Sequence, residues 1–160
     1  MPLADALDPS TEMFWRHVGT AFLCGAAIGL ERQLRGKVAG MRTAILITLG
    51  TAYFVTLGAA MVPADVDPTR VLGQVVTGIG FLGAGVILAR GDRIIGVTTA
   101  AVIWVLAAIG ALIGAGHLKA AIVSTLLTIL VLVGVEGLEK ILLRKTSSRG
   151  SGVFSAIDAE

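Results

Sequence analysis

Glu31 and Arg35 stand four residues apart in GLERQLRGKVAGMRT (29–43). On a continuous helix that spacing sets a carboxylate beside a guanidinium. Arg32, Lys37 and Arg42 crowd the same segment, and such a patch can bind an anionic group or a protein partner. The plainer role for its basic members is orientation in a membrane and contact with headgroups. Glu31 needs a different reason, because a carboxylate serves neither purpose. A specific ion pair with Arg32, Arg35 or Arg42 is expected. A second stretch, GIGFLGAG (78–85), places Gly78, Gly80 and Gly83 as G-x-G-x-x-G. That spacing cradles a dinucleotide only after a strand, at the start of a helix, with an acidic residue about 20 positions on. Residues 98–103 read TTAAVI, without Asp or Glu, so no nucleotide cofactor is expected. His17 and His117 have no partners at metal-ligand spacing, and Cys24 is alone, which excludes an intrachain disulfide. With no nucleophile–base pair, metal-spaced cluster or phosphate loop, the expectation is a protein that is not an enzyme, holds no metal and binds no nucleic acid.

The elements that carry these residues follow from composition. Of 160 residues, 55% are hydrophobic and 15% charged, and the mean hydropathy is +0.87. Soluble domains carry about 25% charged residues, and about 20 apolar residues span a bilayer as a helix. Five such stretches are present: Phe14–Leu30, Thr43–Val62, Val71–Ala89, Val97–Gly116 and Ala120–Val135. The predicted fold is therefore an all-α, polytopic membrane protein of five transmembrane helices. Residues 1–13 form an outer segment, 14–135 the membrane domain and 136–160 a cytoplasmic tail. MPLADALDPSTEMF lacks the layout of a signal peptide. Asp8–Pro9 and Asp67–Pro68 each read as an N-cap followed by a first helical residue, with Arg70 in reach of Asp67.

Basic residues fall on one side: Arg32, Arg35, Lys37 and Arg42, then Arg90 and Arg93, then Lys140, Arg144, Lys145 and Arg149. Arg16, Arg70 and Lys119 remain for the other. The positive-inside rule puts the N-terminus outside and the C-terminus in the cytoplasm. The two basic loops also align, 25–44 on 83–100 with Gln33 and Leu34 as an insertion, pairing Gly25 with Gly83, Arg32 with Arg90, Thr43 with Thr99 and Ala44 with Ala100. Two parallel-repeat hairpins plus a fifth helix are the expectation.

Small residues supply the helix-packing candidates. Gly25/Gly29 and Gly110/Gly114 are G-x-x-x-G pairs, and Gly73, Thr77, Gly80 and Ala84 share one helix face. Gln74 lies one turn inside its span and needs a hydrogen-bond partner. Thr98 and Thr99 open the fourth span, and Trp104 is placed too deep for an interfacial anchor. The last span, rich in leucine and β-branched residues, is expected to face lipid.

GLERQLRGKVAGMRT, DPTRVLGQVVTGIGFLGAGVIL and VTTAAVIWVLAAIGALIGAG together resemble the MgtC/SapB family of bacterial inner-membrane proteins, from about Gly25 to Gly116. The resemblance implies growth under magnesium limitation and virulence, exerted as a regulator of other membrane proteins, the ATP synthase among them. It implies signature positions at Glu31, Arg32, Arg35, Gly40, Arg42, Thr43, Asp67, Arg70, Gln74, Gly78, Gly80, Gly83, Gly85, Thr98, Thr99 and Trp104. Longer members continue into a soluble domain, whereas EGLEKILLRKTSSRGSGVFSAIDAE follows the last span here. The residues themselves leave two classes open. One is a regulator in contact with the bilayer and another membrane protein; the other is a small homo-oligomeric channel or transporter. No span carries an interior Asp or Glu, which disfavours a magnesium path built from carboxylates.

Overall fold

A computed structural model describes residues 5–61, 69–90 and 93–135. Asp65, Asp67, Pro68, Glu136, the tail and the side chains of Arg90 and Arg93 lie outside the described residues. The chain divides into two compact units, Met1–Leu126 and Leu127–Glu160. Helices α1 (Glu12–Leu34), α2 (Met41–Met61), α3 (Thr69–Gly85) and α4 (Val97–Gly114) belong to the first unit. Helix α5 (Leu118–Val135) begins in it, and residues 127–135 are the described part of the second. Among the described residues, α2, α4 and α5 are long and apolar enough to cross a membrane, with mean hydropathies of 1.8, 2.2 and 2.3.

Helix α2 is the central element. Ala44, Thr48, Ala52 and Thr56 recur at every fourth position along it, and all four are buried. Glycines let two neighbours close on this stripe of small side chains. A methyl on Gly25 of α1 would lie 2.8 Å from Ile45 Cα, and one on Gly29 would lie 2.5 Å from Met41 Cα. On α4, a methyl at Gly110 would lie 2.5 Å from the Thr48 carbonyl oxygen and one at Gly114 2.6 Å from that of Ala52. Heavy atoms in contact prefer about 3.5–4.0 Å, so only hydrogen fits. The threonines add no unmet polarity. Thr48 donates to the Ala44 carbonyl at 2.9 Å and Thr56 to that of Ala52 at 2.8 Å. Thr56 also lies 3.2 Å from the Gly114 carbonyl on α4.

Helix α3 is held differently. Its buried residues are Ile79, which packs with Ile103 and Ala107 of α4, and Gly83, whose added methyl would meet Ala100 at 3.8 Å. Apolar grooves of about 660 Å³ flank it on both sides.

Two boundaries differ from the sequence-based expectation. Thr11, rather than Asp8, caps α1: its hydroxyl accepts from the Phe14 amide at 3.3 Å. Asp8 instead closes the preceding turn, its carboxylate accepting from the Ser10 amide and hydroxyl at 2.9 and 2.7 Å. The third stretch leaves the helix at Gly85, four residues before Ala89. Leu88–Arg90 (β1) and Arg93–Ile95 (β2) then pair antiparallel, Leu88 opposite Ile95. Two nearby glycines weaken the helix end, and the Val86 and Ile87 amides close a last turn on the Gly83 and Ala84 carbonyls at 3.3 and 3.1 Å. Among the described residues, this hairpin is the departure from helical structure.

Candidate functional site

The buried stripe of α1 runs through His17, Ala21, Cys24, Gly25, Ile28 and Gly29 and ends in Arg32. Helical periodicity thus carries a guanidinium into the core side of the last turn. That turn is locked by Gly36 at φ +63°. The Gly36 amide donates to the Gln33 carbonyl and the Lys37 amide to that of Arg32, both at 3.0 Å. This is the glycine-closed helix end in which a left-handed residue satisfies the last carbonyls. Gln33 then reaches across the loop, its side-chain oxygen accepting from the Met41 amide at the start of α2 at 3.3 Å. Neither Gly36 nor Gln33 stood out in the sequence; the signal was a glycine just past a basic last turn.

The locked turn presents one carboxylate to two arginines. Arg35 Nε lies 2.5 Å from Glu31 Oε1, and Arg32 Nη1 lies 3.8 Å from Glu31 Oε2. The side chains of Arg32, Glu31 and Arg35 are 4%, 10% and 24% exposed. These are ion pairs by distance and not by hydrogen-bond angle, since neither Glu31 oxygen has a hydrogen-bond partner. Arg32 Nη2 also donates to Thr99 Oγ1 at 3.4 Å, joining α1 to the first turn of α4. Burying Arg32 is tolerable because Glu31 neutralises it, and a buried charge stripped of its partner is costly. The cluster keeps one net positive charge and offers an anionic surface its outer member, Arg35.

The other signature residues are distributed elsewhere. Arg42, Thr43 and Thr98 are exposed, and Gly40 lies in the α1–α2 loop, 3.3 Å from Gln33 Oε1 for an added methyl. Arg70 is exposed on the first turn of α3. About 22 Å of helix separates it from the α3 end at Gly85. Gln74 is exposed along the α2–α3 groove, and Trp104, 52% exposed, borders the other groove. Added methyls at Gly73, Gly78, Gly80 and Gly85 would meet nothing within 4 Å. Among the described residues, no three His, Cys, Asp or Glu side chains gather as a metal site.

Residues 18–141 match the model of the MgtC family. The chain is 48% identical over 130 residues to "Putative magnesium transporter YhiD" of Escherichia coli (strain K12), covering 77% of this chain and 60% of that protein. It is 44% identical over 131 residues to "Protein MgtC" of Brucella abortus (strain 2308), covering 82% and 55%. With "Protein MgtC" of Salmonella paratyphi A it shares 39% over 140 residues, covering 88% and 56%. The chain thus spans a little over half the length of these relatives. No solved structure matches it.

Proposed function

The chain belongs to the MgtC family, and from that premise we propose a non-enzymatic inner-membrane protein that regulates another membrane protein during magnesium limitation. In this reading α1 to α5 all span the bilayer, with the N-terminus outside and the charged end of α1 in the cytoplasm. The helices α1–α2 and α3–α4 act as two parallel hairpins. An added methyl on Gly25 would meet Ala44 at 2.9 Å and one on Gly83 would meet Ala100 at 3.8 Å, and these pairs, equivalent in the aligned loops, support this.

One observation carries the regulatory reading: the α1–α2–α4 seam is close-packed through glycines, and its threonine hydroxyls are committed to helix carbonyls. Polar groups arranged that way stabilise contact between helices and do not line a hydrated path. Contact with a partner then falls to the cytoplasmic Glu31–Arg35 turn. The ATP synthase is the partner that the family resemblance suggests. Transport is the second reading, favoured by the name of the Escherichia coli relative and by Gln74 beside an intramembrane groove.

The test is affinity capture of the tagged chain from native membranes in mild detergent, beside Arg35→Ala and Arg42→Ala. A stoichiometric foreign membrane protein, lost in the variants while their own recovery is unchanged, is the expected result. Recovery of this chain alone, as a defined oligomer, would overturn regulation by contact and favour transport.

A further inference from the structure

Helix α4 starts without a cap. Gly96 holds the N-cap position at φ +93° and brings no side chain to it. A side chain is excluded there twice over, by the left-handed φ and because an added methyl would strike the Val86 carbonyl oxygen. The Ser, Thr, Asp or Asn that ordinarily covers the first amides of a helix therefore has no place. The first bond of α4 runs from the Ala100 amide to the Gly96 carbonyl at 2.9 Å. The Val97, Thr98 and Thr99 amides come before it and have no acceptor among the described residues.

An arginine is buried against this open end. Arg32, 4% exposed, reaches the same turn from α1, its Nη2 donating to Thr99 Oγ1 at 3.4 Å. Its Nε is buried and has no hydrogen-bond partner. A guanidinium is misplaced here on electrostatic grounds, since a helix N-terminus already carries about half a positive charge. Glu31 does not offset both. It stands 3.8 Å from Arg32 and 2.5 Å from Arg35, so one carboxylate serves two arginines while the helix end adds to the surplus.

We propose that the α4 N-terminus and Arg32 form a binding site for a phosphate group, carried by a phospholipid headgroup or by a free phosphate. The donors suit a tetrahedral oxyanion. Amides at a helix N-terminus point at such an anion, and a guanidinium adds charge-assisted bonds. Thr99 accepts from Arg32 through a lone pair, so its hydroxyl proton remains to donate. Val97 and Thr98 are exposed, so a ligand reaches the amides from outside while Arg32 holds it from the buried side. The bound phosphate supplies the acceptors that the amides and Arg32 Nε lack, and the negative charge that Glu31 alone does not provide. The inference stands on the geometry of α1 and α4 and not on whether the chain regulates or transports.

Backbone amide chemical shifts of the full chain in dodecyl maltoside, a detergent without phosphate, test it. One arm titrates inorganic phosphate against chloride at equal ionic strength. The other adds phosphatidylglycerol to the micelles, against diacylglycerol, which lacks the phosphate. Saturable shifts of the Val97, Thr98 and Thr99 amides are expected in at least one arm. A response to inorganic phosphate identifies a free phosphate as sufficient, and a response to phosphatidylglycerol alone identifies a headgroup; either supports the site. Arg32→Met is expected to abolish saturation with its helical circular dichroism retained. Thr99→Val keeps the side-chain shape without the hydroxyl and is expected to weaken binding about tenfold. Shifts no larger than those in the chloride and diacylglycerol controls would overturn the proposal, as would unchanged saturation in folded Arg32→Met. If Arg32→Met does not fold, Thr99→Val decides, and undiminished affinity in it refutes the site.

Discussion

Replacing Gly110 by alanine sets a methyl 2.5 Å from the Thr48 carbonyl oxygen, 2.8 Å from Thr51 Cβ and 3.3 Å from the Ala52 amide nitrogen. Two of those neighbours are backbone atoms of α2, which cannot rotate away as a side-chain tip can. Restoring ordinary contact needs the helices to separate locally by about 1 Å, and a gap of that size forfeits a quarter to a half of each dispersion contact along the seam. Overpacking of this kind costs about 1–3 kcal/mol. Alanine recovers roughly 0.5–1 kcal/mol through its better helix propensity, leaving a net loss centred on about 1 kcal/mol and at most about 2.5 kcal/mol. The assay is unfolding of the purified chain in mild detergent by titrated dodecyl sulfate, followed by far-ultraviolet circular dichroism. Gly19→Ala is the control, because a methyl there meets nothing within 4 Å. Unfolding of Gly110→Ala at or above the parental midpoint, with Gly19→Ala unchanged, would refute the close α2–α4 seam.

Glu31→Gln leaves Arg32, 4% exposed, without a counter-charge and should cost about 3 kcal/mol in the same titration. Arg35→Ala should cost about 1 kcal/mol or less, because Arg35 is the more exposed partner and exposed pairs contribute little. Gly36→Ala forces a side chain into a φ of +63° and should cost about 1–2 kcal/mol, read as loss of order in the α1–α2 loop by amide exchange. The Ser10 amide, then its hydroxyl, hold the Asp8 carboxyl below its usual 3.8. A lowered folded value means the turn before α1 is at full strength above 3.8 and weakens as pH falls through the folded value. Chemical-shift titration of Asp8 should show a midpoint below 3.8 that Ser10→Ala moves upward.

Hydropathy alone located the helices that matter most. Thr43–Val62 and Val97–Gly116 correspond to Met41–Met61 and Val97–Gly114, since a long apolar run leaves no other way to satisfy backbone groups. It misplaced the end of α3, because the apolar run Val86–Ala89 continues unchanged through a turn and into β1. The glycine pairs 25/29 and 110/114 were legible as close-packing faces. Their receptor stripe was not, because Thr48 and Thr56 read as polar until their hydroxyls are seen bonded to their own helix. Period also failed to say which way α3 turns. Spacing shows that Gly73, Thr77, Gly80 and Ala84 share a face, and only tertiary structure shows that the face points outward. At the charged turn, the Glu31–Arg35 pair followed from four-residue spacing. The bond from Arg32 to Thr99 joins residues 67 apart, a contact set by how α1 and α4 pack and not by any local pattern.

Magnesium flux decides most directly between contact and carriage. The purified chain, reconstituted into sealed vesicles containing a magnesium-sensitive dye, would be given an inward magnesium gradient. An ionophore added at the end confirms that the dye responds. The expected result is entry no faster than into protein-free vesicles, at every protein density and with either sign of membrane potential. Saturable magnesium entry that rises with protein density and falls in Gln74→Leu would contradict regulation by contact and establish transport along the α2–α3 groove.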